Sequence, residues 1–150
     1  MIQRIAFLLI ALLGAPAAYA QCAERVLVSG YFSNNVHVYD GCNGAFERLL
    51  DDQNRIRGPQ AVKIGPDGRL YVVSEENGRI LRYDPRTLAY IDAFITTGAG
   101  FNATGIAFGP DGDVYLGGYA SDTVRRYDGT TGAFEATVVA ARAAGLNGPD

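Results

Sequence analysis

Apolar positions along this chain come in short, dense runs broken by turn residues. Leu70–Ser74 is almost continuously apolar, and so are Val26–Ser29 and Val114–Gly117. Such runs suit strands covered on both faces. Each is followed, after a short loop, by a second strand-like run: Ile80–Asp84, with Val36–Asp40 and Val124–Asp128 as counterparts. Gln60–Ile64 and Thr104–Phe108 read as strands preceding the turn Gly-Pro-Asp-Gly at 65–68 and 109–112. There Pro presets φ and the closing Gly accepts a positive φ. A further turn (41–44, 85–88, 129–132) leads to a last strand starting at Phe46, Tyr90 or Phe134.

Corresponding residues in these units stand 44 positions apart, as in Tyr39, Tyr83 and Tyr127. A period of 40–50 residues carrying four short strands predicts an all-β chain folded as a β-propeller. A β-sandwich also uses short, evenly spaced strands. It gives no reason, however, for one tetrapeptide turn and one Tyr-Asp pair to recur at a fixed interval. Three four-stranded blades are expected, at about 21–57, 58–101 and 102–150. The first lacks its innermost strand. A closed propeller takes typically 4–8 blades. The units are therefore expected to be part of a six- or seven-bladed ring, or to close one by self-association.

The N-terminus changes the picture of where this fold works. Arg4, the apolar Ile5–Leu13 and Ala18-Tyr19-Ala20 form a signal peptide, residues 1–20, with cleavage expected after Ala20. The apolar run is too short for a membrane span, which needs about 20 residues. The mature protein is thus expected to be secreted or periplasmic. Export places Cys22 and Cys42 in an oxidising compartment. If Leu27 pairs with Val38, the two cysteines fall near the open end of the same hairpin. A disulfide there would contribute roughly 3 kcal/mol by closing a short loop.

Composition adds exclusions. The chain is 48% hydrophobic and 19% charged with net charge −3, which argues against nucleic acid or an anionic membrane as partner. Its single histidine, His37, stands where the other units have Leu81 and Arg125. With no free cysteine expected and no G-x-S-x-G, a Ser-His-Asp or Cys-His mechanism lacks its parts. A three-histidine metal site is excluded for the same reason.

The segment Gly65-Pro66-Asp67-Gly68-x-Leu70-Tyr71-Val72, followed by Ile80-Leu81-Arg82-Tyr83-Asp84, resembles the NHL-repeat group of propellers. It is similar to exported bacterial proteins with Gly-Pro-Asp-Gly and Arg-Tyr-Asp repeats. That superfamily includes lactonases, streptogramin lyases and binding scaffolds. The resemblance implies the fold. In lactonase-like members it also implies a divalent cation in the central channel, but no metal ligand can be carried onto this sequence residue by residue.

Repetition separates scaffold from site. Tyr39, Tyr83 and Tyr127 are expected to pack between blades, and Asp40, Asp84 and Asp128 to accept backbone N–H groups in the following turn. A unique site should be built from departures. The loops 30–34, 74–77 and 118–122 are where units differ most. Tyr31, Glu75, Glu76, Asn77, Tyr119 and Asp122 are the candidate ligand-binding residues, able to meet a cation or sugar hydroxyls. Asp51-Asp52 with Arg55 and Arg57 form a second departure. No catalytic residue is assigned and no cofactor is expected beyond a possible divalent cation. The leading function is a non-enzymatic binding or scaffold protein, its partner a small molecule, glycan or protein. A lactonase- or lyase-like enzyme, or a truncated fragment, is the alternative.

Overall fold

The computed structural model describes residues 24–98 and 100–150. Eleven strands form three antiparallel meanders, one per sequence unit. The first blade holds β1 (Arg25–Gly30), β2 (Asn35–Asp40) and β3 (Phe46–Leu49). The second holds β4 (Pro59–Ile64), β5 (Leu70–Ser74), β6 (Arg79–Tyr83) and β7 (Tyr90–Thr96). The third holds β8 (Ala103–Phe108), β9 (Val114–Gly118), β10 (Thr123–Tyr127) and β11 (Phe134–Val139). The first sheet therefore has three strands and the others four. Each expected strand is present, and Leu27 pairs with Val38. The expected signal peptide, residues 1–20, and Cys22 lie outside the described residues.

Blades pack face to face through the repeat positions. Leu27, Val36 and Val38 of the first blade meet Leu70, Val72, Leu81 and Tyr83 of the second. Tyr71, Val73, Ile80 and Ile95 on the second blade's other face meet Val114, Leu116 and Tyr127 of the third. Tyr83 and Tyr127 are buried between blades as their repetition implies. Tyr39, on the free face of the first blade, is half-buried.

Each turn repeats its chemistry as well. Asp84 Oδ1 accepts the N–H groups of Arg86 and Thr87 and the Thr87 hydroxyl, at 2.9, 2.7 and 3.0 Å. Asp128 does the same for Thr130 and Thr131, and Asp40 for Cys42 and Asn43. These donors hold the Asp84 and Asp128 carboxyls below their ordinary range. The charged form is thus the one the turn binds. In the Gly-Pro-Asp-Gly turns, Gly68 and Gly112 have φ of 76° and 91°.

Candidate functional site

The candidate ligand end of the blades is fixed by register. Pro59 pairs with Ser74 and Ala103 with Gly118. The start of each innermost strand therefore lies beside the loop joining the second and third strands. Glu75 N–H donates to Gly58 O at 3.2 Å, and Tyr119 N–H to Asn102 O at 2.9 Å. Loop and inter-blade connection are thus stitched into one surface.

Glu75 is the centre of that surface. It is only 9% exposed. Gln60 Nε2, at the head of β4, donates to its Oε2 at 2.6 Å, and Asn102 Nδ2, just before β8, donates to its Oε1 at 3.1 Å. Both partners are neutral amides, and among the described residues Glu75 takes part in no ion pair. Two amide donors leave further lone pairs of this carboxylate open to another donor or a cation.

Tyr31 and Glu76 complete the surface. A side chain at Gly58 would touch both Glu76 Cγ and a Tyr31 ring carbon, at 2.7 and 3.0 Å. Glycine at this position, with φ of 53°, therefore keeps the two close. The Tyr31 phenol ionises above its ordinary value, first because of the negative charge on Glu75, then burial, then Glu76. The first and second blades therefore share one anionic edge.

The other candidates make different contacts. Asn77 Nδ2 donates to Arg55 O at 2.7 Å and so holds the connection ahead of β4. Asp122 Oδ1 accepts Gly148 N–H at 2.9 Å, as Asn34 Oδ1 accepts Gly58 N–H at 2.8 Å. Asn34 and Asp122 share a left-handed backbone, φ 53° and 52°, which short polar side chains tolerate. Tyr119 is 60% exposed and lies against Gly148. Asp51 is buried and bonded to Arg55, whose guanidinium sits 4.3 Å over the Tyr90 ring. That pair holds the connection in place.

Gln60 and Asn102 are the site residues that the sequence reading passed over. Asn102 was findable, because it replaces the glycine that opens the corresponding segment at Gly58 and Gly148. It keeps their left-handed backbone, with φ of 52° against 53° and 58°. The substitution costs backbone freedom and supplies an amide aimed at Glu75.

A second acidic group does not have the same character. Asp113, Asp128 and Glu135 bring carboxylate oxygens within 4.8 Å of one another. The Arg126 guanidinium already sits among them, 2.7 Å from Glu135 and 3.6 Å from Asp113. With a resident cation, this cluster does not fit a metal ion.

No family model and no curated protein matches the chain, but solved structures do. Virginiamycin B lyase from Staphylococcus aureus matches with a TM-score of 0.60 at 18% identity, over 74% of this chain and 36% of that one. A putative 6-phosphogluconolactonase from Bacteroides fragilis gives 0.56 at 19%, over 77% and 40%. The calcium-binding protein regucalcin from Agrobacterium tumefaciens gives 0.51 at 24%, over 68% and 35%. These likenesses show a β-propeller fold, and this chain spans 35–40% of the length of those structures.

Proposed function

We propose that the chain is an exported binding module, built of NHL-like propeller repeats, that takes its ligand at the Glu75 end of the blades. The observation that carries this reading is the nearly buried Glu75 carboxylate, bonded among the described residues only to the Gln60 and Asn102 amides. Beside Glu76 and Tyr31 it offers negative charge and acceptors. The ligand chemistry is therefore a cation or a set of hydroxyl donors.

A second reading, a metal-dependent enzyme of the lactonase or lyase type, draws on the same residues. The amides of Gln60 and Asn102, turned by half a rotation, would present carbonyl oxygens beside the Glu75 carboxylate. Carboxylate and amide oxygens are the donor set of calcium. The residues fit such an ion, and it would supply Lewis acidity to a bound carbonyl. Neighbours described as a lyase, a putative lactonase and a calcium-binding protein support keeping this reading.

Calorimetric titration separates the outcomes. Calcium chloride and, in separate runs, neutral oligosaccharides are titrated into the wild-type protein and Glu75→Gln. A heat of binding in the wild type that weakens at least tenfold in Glu75→Gln is the expected result. Equal binding by both proteins, or none by the wild type, would sink the site. Hydrolysis of a lactone in calcium, lost in Glu75→Gln, would favour the enzyme.

The Cys22–Cys42 disulfide belongs to this exported setting. No free cysteine occurs among the described residues. The N–H of Gly41 donates to Glu24 O at 2.9 Å, so the β1–β2 ladder runs on to the residue before Cys42. Unfolded, unreduced mature protein is expected to take up no thiol reagent. Two labels per chain would rule the bridge out.

A further inference from the structure

The same apolar face is buried in the second and third blades and half exposed in the first. Leu70 and Val72 of the second blade are 3% and 0% exposed, because the first blade's far face covers them. Their counterparts Val114 and Leu116 are 1% and 0% exposed, covered by the second blade. The counterparts in the first blade, Val26 and Val28, are 49% and 47% exposed. At the opposite end, Tyr115 and Val124 on the third blade's far face are half-buried, whereas their counterparts Tyr71 and Ile80 are 1% and 0% exposed. The chain therefore carries both halves of an interface that it forms twice internally.

Residues 148–150 strengthen the match. Asp122 holds Gly148 as Asn34 holds Gly58, the residue before β4. Pro149 O accepts the Thr104 hydroxyl at 2.7 Å. Side chains at Gly105 and Gly117 would strike Asp150 and Pro149, so both glycines leave room for this segment. It lies on the third blade where an innermost strand of a following blade begins. Among the described residues, the first blade is the one without an innermost strand.

We propose that the free face of the first blade docks head-to-tail on the far face of the third blade of a second copy. Two such contacts close a six-bladed ring, in which Pro149 faces Gly30 of the partner subunit, as Pro59 faces Ser74 and Ala103 faces Gly118. Exposed apolar faces of this kind mark interfaces, and closed symmetry is the common outcome for identical subunits.

Sedimentation equilibrium of the mature chain at micromolar concentration is the test. The wild type should be dimeric. Val28→Lys and Val124→Lys should each weaken association at least tenfold while leaving the far-ultraviolet circular dichroism unchanged, since both residues have exposed area in the protomer. Mixing the two variants should restore association in part, because one of the two contacts is then wild type on both sides. A wild-type monomer, a dimer indifferent to both substitutions, or variants that fail to complement would each overturn the head-to-tail ring.

Discussion

Replacing Tyr83 by alanine is expected to cost about 3–5 kcal/mol of stability, whereas Tyr83→Phe should be neutral or stabilising by about 1 kcal/mol. Tyr83 is 1% exposed and packs between Val36 and Val38 of the first blade and Leu81 and Leu88 of its own. Truncation would open a cavity in an interface whose residues belong to two sheets, so neither sheet can collapse to fill it alone. The hydroxyl, by contrast, is buried with no hydrogen-bond partner among the described residues. Burial also pushes its ionisation far above the ordinary tyrosine value, so it stays a protonated donor with nothing to donate to. Phenylalanine keeps the ring, including its edge contact with Tyr90 at 5.6 Å, and removes the unmet polar group. Urea denaturation of the three proteins reads both effects. A Tyr83→Phe protein weaker than wild type by more than 1 kcal/mol would show that the hydroxyl does find a partner.

Much of this architecture was legible because it is written three times. The starts of β3, β7 and β11 at Phe46, Tyr90 and Phe134 followed from a turn and an aromatic residue at fixed spacing. The roles of Asp40, Asp84 and Asp128 followed from the same repetition, since local turn bonds need only local sequence. Burial was less legible. Val26–Ser29 reads as covered on both faces, like Leu70–Ser74, yet β1 is partly exposed while β5 is wholly buried. The pattern records what a blade is made to pack against, and the neighbour decides whether packing happens.

The site was half legible for a related reason. Glu75 and Glu76 stood out as departures within one loop, and Tyr31 as their neighbour in the preceding unit. Gln60 and Asn102 belong to two different strand heads, 15 and 27 residues from Glu75. Only the register of β4 with β5, and the packing of one blade on the next, brings them to one carboxylate. Asn77 and Asp122 illustrate the converse. Their polarity made them ligand candidates, and polarity has a second use here, because a loop that crosses from one blade to the next must have its backbone groups satisfied. These side chains do that for Arg55 and Gly148.

Gly112→Val is expected to cost about 1–3 kcal/mol, through the backbone alone. Gly112 closes the turn Gly109–Gly112, in which its N–H donates to Gly109 O at 3.0 Å. Its φ is 91°, a region closed to β-branched residues and open to glycine. A Cβ added there would meet no atom within 4 Å, so the Cβ itself meets open space and the backbone conformation carries the expected loss. The alternative to strain is a change of turn type. That would shift Asp111 Oδ1 away from Asp113 N–H, now 3.1 Å apart, and disturb the β8–β9 register that aligns Phe108 with Val114. Gly112→Asn is the control, because asparagine accepts positive φ better than valine does. Equilibrium denaturation should therefore rank wild type above Gly112→Asn and Gly112→Asn above Gly112→Val. A Gly112→Val midpoint equal to that of the wild type would mean that the turn reaches a negative φ at no cost, and that the recurring glycine serves something other than backbone conformation.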